Sequence, residues 1–217
     1  MTETPRRPRQ LRAATAEDLE PGDRYRMLIF DWDGTLADST RVNHESFAEA
    51  MRPYGVRIAR DWFEARSGLS VADMVAAATP DGPCVDAESV KLARNRAYLK
   101  RLPDVGSLEV VVGVLRRNRH RVRTAIASGG QAETLLPTAR ALGLDVLVDC
   151  IVTREDVAAG KPAPDVFLKA AGILGVDPAR CLVYEDSDEG LQAARAAGMD
   201  AVDVRALTRS GDTRPNA

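Results

Sequence analysis

From Met27 the chain reads Met-Leu-Ile-Phe-Asp, a short apolar run of strand length stopped by the turn-forming pair Asp33-Gly34. Three later runs have the same form: residues 122–127 stop at Ser128-Gly129-Gly130, residues 146–152 stop near Thr153, and residues 181–184 stop at Glu185-Asp186. Residues 201–204 can supply a fifth strand. Continuous apolar runs, rather than alternating ones, belong to strands buried on both faces, as in parallel sheets. Between the runs the apolar spacing is helical. Leu135, Leu136, Ala139 and Leu142 lead to Gly143; Phe167, Ala170, Ala171 and Leu174 lead to Gly175; and an Ala-rich stretch closes at Gly198. Glycine one step past a periodic segment is a helix stop.

Alternating strands and helices predict an α/β fold, a Rossmann-like doubly wound parallel sheet core in which ligands gather beyond the carboxyl ends of the strands. One stretch departs from the alternation. From about Asp38 to Leu102 there is no convincing strand, and His44, Phe47, Ala48 and Met51, then Val71, Met74, Val75 and Ala78, then Val90, Ala93 and Ala97 all fall at helical spacing. The expected organisation is therefore a core of residues 24–38 and 103–208, an inserted helical cap of residues 39–102, and flexible tails at residues 1–23 and 209–217. Arg6, Arg7, Arg9 and Arg12 lie among prolines in the first tail. They read as a solvated leader, with a transit peptide or a weak site for an anionic partner as the alternatives.

Charge narrows the partners. Lys and Arg number 30 against 32 Asp and Glu, a net charge of -2 over 217 residues, so no general attraction to nucleic acid or anionic lipid is expected. Arg116, Arg117, Arg119, His120, Arg121 and Arg123 form a local basic cluster without interleaved aromatics, which reads as an exposed loop. Cys84, Cys150 and Cys181 lack C-x-x-C spacing and indicate neither a disulfide framework nor a zinc site. No apolar run approaches bilayer length. These features lead us to expect a cytoplasmic protein, a monomer or weak homodimer, with no nucleic acid or membrane partner.

The chemistry sits where the apolar runs stop. Asp31 and Asp33, two carboxylates with i, i+2 spacing after a strand, suit phosphoryl transfer: one can attack phosphorus while the other protonates the leaving oxygen and later deprotonates water. A turn or helix cap is the ordinary alternative. Gly34 lets the backbone bend tightly around a substrate. Ser128 and the backbone N–H groups near Gly129 can point at a phosphoryl oxygen. Lys161, between glycine and proline in Gly160-Lys161-Pro162, can neutralise carboxylate and phosphate together. Glu185 and Asp186 offer hard oxygens that can hold Mg²⁺ beside Asp31.

The strings DWDGTLADS, GKPAPDVF and YEDSDEG, with Ser128 between the first two, occur in the order of the four motifs of the haloacid dehalogenase superfamily, which the chain resembles from about Met27 to Leu207. The resemblance implies Asp31 as nucleophile, Asp33 as acid/base with its main-chain carbonyl facing the metal, Lys161 as the cation joining Asp31 to the phosphoryl group, Asp186 as the main Mg²⁺ ligand, and Glu185 as a direct or water-mediated one. The helical insertion is similar to the cap of the phosphoglycolate phosphatase and β-phosphoglucomutase branch. It implies a substrate reader at residues 66–70, where Arg66 or Ser70 would touch hydroxyls or a second anion.

Residues 185–205 also look like those of bacterial sugar-phosphatases acting on fructose 1-phosphate and related monophosphates. The expected function is Mg²⁺-dependent hydrolysis of a small phosphorylated metabolite, a sugar phosphate, through an aspartyl phosphate. A β-phosphoglucomutase-like phosphotransferase is the first alternative. It is lowered because mutases of this branch carry His where Asn43 stands and a basic residue near Val71. A catalytically idle module that binds a phosphorylated metabolite is the second.

Overall fold

The computed structural model describes residues 7–66, 68–80, 82 and 84–208. The described residues form two compact units, one built from the chain up to Ala37 and again from Ser107, the other from Asp38–Gly106. Strands in chain order are β1 (Gln10–Arg12), β2 (Met27–Phe30), β3 (Ala37–Asp38), β4 (Gly106–Ser107), β5 (Arg123–Ala127), β6 (Cys150–Val152), β7 (Cys181–Glu185) and β8 (Asp200–Asp203). The main sheet has the order β1-β8-β7-β2-β5-β6 and every pair in it is parallel. Both β3 and β4 are two residues long and mark where the chain leaves and re-enters the first unit.

Helices in chain order are α1 (Thr40–Met51), α2 (Arg60–Glu64), α3 (Val71–Ala78), α4 (Ala87–Lys100), α5 (Glu109–Asn118), α6 (Ala132–Ala141), α7 (Asp165–Leu174), α8 (Asp188–Ala196) and α9 (Arg205–Thr208). In the sheet unit, Met27, Ile29, Ala125, Cys181 and Val183 share one buried cluster with Val166, Phe167 and Ala170 of α7 and Leu191 and Ala194 of α8. The Phe30 ring stacks on Tyr184 at 4.8 Å. Each large apolar side chain buried this way stabilises the fold by roughly 1.5–3 kcal/mol, so the ends of β2, β5 and β7 are held firmly. In the helical unit, Phe47, Met51, Phe63, Met74, Val75 and Val90 form a separate core.

Three sequence expectations need correction. Residues 1–23 are not all tail: β1 pairs with β8 in the register Gln10↔Ala201, Leu11↔Val202 and Arg12↔Asp203, and Leu19 is fully buried. The signal was hidden because all three β1 side chains are exposed; its backbone is recruited by β8, not by apolar pattern. The expected strand over residues 146–152 starts as a 3₁₀ turn, Asp145–Leu147, with Val146 71 % exposed, and only its last three residues join the sheet. The basic cluster is a loop only in its middle, where Arg119, His120 and Arg121 form the turn between α5 and β5. Arg116 and Arg117 end α5 and pair with Glu109 and Glu20, and Arg123 opens β5 facing Asp149 at 3.3 Å. The expected tail at residues 209–217 and the leader arginine Arg6 lie outside the described residues. Among the described residues no helix is long and apolar enough to cross a membrane.

Candidate active site

The acids predicted from sequence are set by adjacent strands. Asp31 follows β2, and its N–H donates to the Tyr184 carbonyl at 3.0 Å, which continues the ladder with β7. Glu185 ends β7. Neighbouring parallel strands lie about 4.8 Å apart, so the two carboxylates emerge side by side. Lys161 comes from the loop before α7 and closes them: its Nζ donates to Asp31 Oδ1 at 2.5 Å and to Glu185 Oε2 at 2.7 Å. The Lys161 and Asp31 side chains are each 8 % exposed and that of Glu185 1 %, so the charges have little water to screen them. The Lys161 ammonium also lies 4.9 Å from the centre of the Phe167 ring.

Glu185 is fully engaged. Its Oε1 accepts from the Asp186 N–H at 3.1 Å, the Ser187 N–H at 3.0 Å and the Ser187 hydroxyl at 2.7 Å, while Oε2 takes Lys161. Ser187 in turn accepts from the Gly190 N–H at 3.1 Å as the N-cap of α8. A β-carbon on Gly190 would lie 2.0 Å from Glu185 Cδ and Oε2, so the carboxylate occupies the space a side chain there would need.

Asp31, Glu185 and Asp186 each bring an oxygen within 4.8 Å of one another. Burial raises the Asp31 carboxyl well above the usual carboxylate range, Glu185 raises it further, and Lys161 only partly opposes them. Burial alone would lower the Lys161 ammonium, but Asp31 and Glu185 outweigh it and hold the group above its ordinary value. Carboxylate charge in excess of one ammonium, presented as hard oxygens, fits a divalent cation. Because the Glu185 oxygens already accept four hydrogen bonds, Asp31 and Asp186 are the better direct ligands and Glu185 the supporting one. The Asp33 carboxylate is not part of the trio.

Gly34 has φ +78° and donates its N–H to the Ala37 carbonyl at 2.9 Å, closing the turn after Asp33. A β-carbon there would meet Asp186 Oδ2 at 2.3 Å, so glycine meets both a conformational and a steric demand. Ser128 follows β5, donates its N–H to the Val152 carbonyl at 3.0 Å, and accepts at Oγ from the Gly130 N–H at 2.9 Å. A β-carbon on Gly130 would stand 3.1 Å from Ser128 Oγ and 3.4 Å from Asp33 Oδ2, which places those two groups around one small space. Gly129 is exposed with nothing near its notional β-carbon, so of the two glycines the crowded one is Gly130, which sequence reasoning did not single out.

The expected reader residues are engaged within the helical unit. The Arg66 guanidinium lies over the Trp62 ring at 4.4 Å and donates to the Trp62 carbonyl at 3.1 Å. Ser70 caps α3, accepting from the Asp73 N–H at 3.1 Å and donating to Asp73 Oδ2 at 2.6 Å. Both side chains have a local role that accounts for their residue type. Ser67 lies outside the described residues. Asn43 accepts from Arg94 and donates to Ser39 Oγ at 3.3 Å.

Comparison with known proteins identifies the family. The family model for haloacid dehalogenase-like hydrolases matches residues 25–198. The chain is 36 % identical over 187 residues to the fructose-1-phosphate phosphatase YqaB of Escherichia coli (strain K12), covering 85 % of this chain and 99 % of that one. It is 28 % identical over 188 residues to the β-phosphoglucomutase of Bacillus subtilis (strain 168), covering 82 % of each. The crystal structure of a hydrolase from Pseudomonas syringae superposes with a TM-score of 0.73 at 30 % identity, covering 87 % of this chain and 91 % of that one. The parallel sheet with acids at its carboxyl edge and the match over most of the length lead to one conclusion: the chain belongs to the haloacid dehalogenase-like hydrolase family.

Proposed function

We propose that this protein is a phosphoric monoester hydrolase that frees phosphate from a small sugar phosphate, with Asp31 as the nucleophile. The observation that carries the reading is the meeting of the buried Asp31, Lys161 and Glu185 side chains with the half-buried Asp186. A carboxylate of Asp31 attacks phosphorus in line, the phosphorus–oxygen ester bond breaks, and the leaving oxygen takes a proton from Asp33. Water then attacks the aspartyl phosphate, giving its proton to Asp33, and the Asp31 carboxylate is restored with inorganic phosphate released. Lys161 and the Ser128 hydroxyl stabilise the equatorial oxygens, which carry the charge of a loose transition state. Mg²⁺ held by Asp31 and Asp186, with Glu185 behind them, would neutralise phosphoryl charge and hold the group in line.

Two considerations support hydrolysis of a sugar phosphate over phosphate transfer between sugar hydroxyls. The Escherichia coli relative is named for fructose 1-phosphate, and the match spans almost its whole length. Asn43 stands where mutases of the branch carry His, and its amide, hydrogen-bonded to Arg94 and Ser39, cannot take up a proton at neutral pH. The test is phosphate release from fructose 1-phosphate and a panel of sugar monophosphates with Mg²⁺, assayed beside sugar phosphate isomers in the same tubes. Asp31→Asn is expected to lower turnover on the order of 10³-fold or more. Phosphate release that survives in Asp31→Asn, or none from any substrate with the unaltered protein, would sink the proposal.

A further inference from the structure

Lys161 sits on a segment with little of its own to hold it. Ala158, Ala159 and Gly160 carry almost no side chain and are exposed or half-exposed, yet the next residue must meet two carboxylates at once. Two side chains grip the main chain here. Asp165 accepts from the Ala159 N–H at 3.3 Å, and Arg154 donates from Nη1 to the Val157 carbonyl at 2.9 Å and from Nη2 to the Ala158 carbonyl at 3.4 Å. The Arg154 stem lies against Gly160, where a β-carbon would stand 3.3 Å from Nε. Only a planar fork can reach two successive carbonyls while its edge rests on the backbone.

The backbone of Arg154 is anchored in turn. Thr153 and Asp156 form a capping box that fixes the turn Arg154–Asp156, with Asp156 Oδ2 accepting from the Thr153 N–H at 2.8 Å and its hydroxyl at 2.9 Å. The Arg154 N–H donates to the Gly130 carbonyl at 3.0 Å, two residues past Ser128. One residue thus joins the loop that carries Ser128 to the loop that carries Lys161.

We infer that Arg154 is a positioning residue: it clamps residues 157–160 so that Lys161 is delivered onto Asp31 and Glu185 in register with Ser128. This rests on the hydrolase reading for its kinetic consequence, but not for its structural one. A displacement of about 1 Å at a catalytic group can lower turnover about 10²-fold. Arg154→Ala is therefore expected to reduce kcat about tenfold or more with KM little changed, because Lys161 is not lost but mis-set. Arg154→Lys should not restore kcat, since one ammonium cannot bridge both carbonyls.

A readout independent of turnover is acylation of Lys161 by an amine-selective acetylating reagent, followed by mass spectrometry, with thiol labelling of the buried Cys181 as control for general loosening. In Arg154→Ala, Lys161 should be acylated severalfold faster while Cys181 labels as in the unaltered protein. An unchanged Lys161 rate, an unchanged kcat, or a parallel rise at Cys181 would each overturn the assignment. Should the alanine variant fail to fold, Arg154→Lys is carried through the same measurements. If the unaltered protein releases no phosphate from any substrate, the hydrolase reading falls, and the labelling still decides whether Arg154 holds Lys161.

Discussion

At Gly190 a single added carbon would collide with Glu185, the residue that shares Lys161 with Asp31. Gly190→Ala must move a fully buried carboxylate off its partners, and should cost about 1–3 kcal/mol for overpacking and remove activity, whereas Gly129→Ala should stay within about 0.5 kcal/mol. Urea melts of the two variants beside a phosphate assay check the contrast. The raised Asp31 carboxyl gives a second prediction, with a definite sign. In the metal-free protein the folded state binds this proton more tightly than the unfolded chain. The ionisation therefore costs nothing below the unfolded value of ~3.9, and stability is lost as pH rises from there through the raised folded value. Asn at position 31 has no such proton, so the stability of Asp31→Asn relative to the unaltered protein should grow from pH 4 upward in EDTA. Thermal melts across that range test it, and a difference independent of pH would refute it. The acids themselves were legible because each ends an apolar run. The distinction between Gly129 and Gly130 was not, since it depends on Ser128 and Asp33 converging from different loops.

Strand β2 was readable because a strand buried on both faces must be apolar throughout, and β5 and β7 because they are apolar between a polar start at Arg123-Thr124 and an acidic end at Glu185. The same rule concealed β1, whose three side chains are all exposed, and α5 was not among the helices read. β1 also brings its flank to a polar cluster: Asp200 accepts from the Arg9 N–H at 2.7 Å, from the Tyr25 hydroxyl at 2.7 Å and from Arg24. Removal of residues 1–13 would leave the edge of β8 unpaired. The shortened chain should melt at least ~4 °C lower and should run larger on size exclusion than the full chain as edges associate. Equal melting and equal elution would show that β1 contributes nothing.

Strand and helix alternation was enough to read the whole molecule as a parallel α/β unit interrupted by a helical one. The interruption expected at residues 39–102 falls at Asp38–Gly106, its ends lying in the short strands β3 and β4, which carry no period of their own. Thiols offer a check on this organisation. Cys84, in the helical unit, is exposed. Burial in the sheet unit pushes the Cys150 thiol up to about 11 and that of Cys181 up to about 12, so few thiolates form at neutral pH. A thiol reagent should therefore modify one cysteine quickly and the other two only with denaturant, and three equal rates in native buffer would contradict the packing described. Every side chain assigned to bond cleavage comes from the sheet unit, and residues 38–106 supply none of them. Substitutions confined to the insertion therefore leave every group proposed to cleave the ester in place, so that stretch is free to drift without touching the reacting residues.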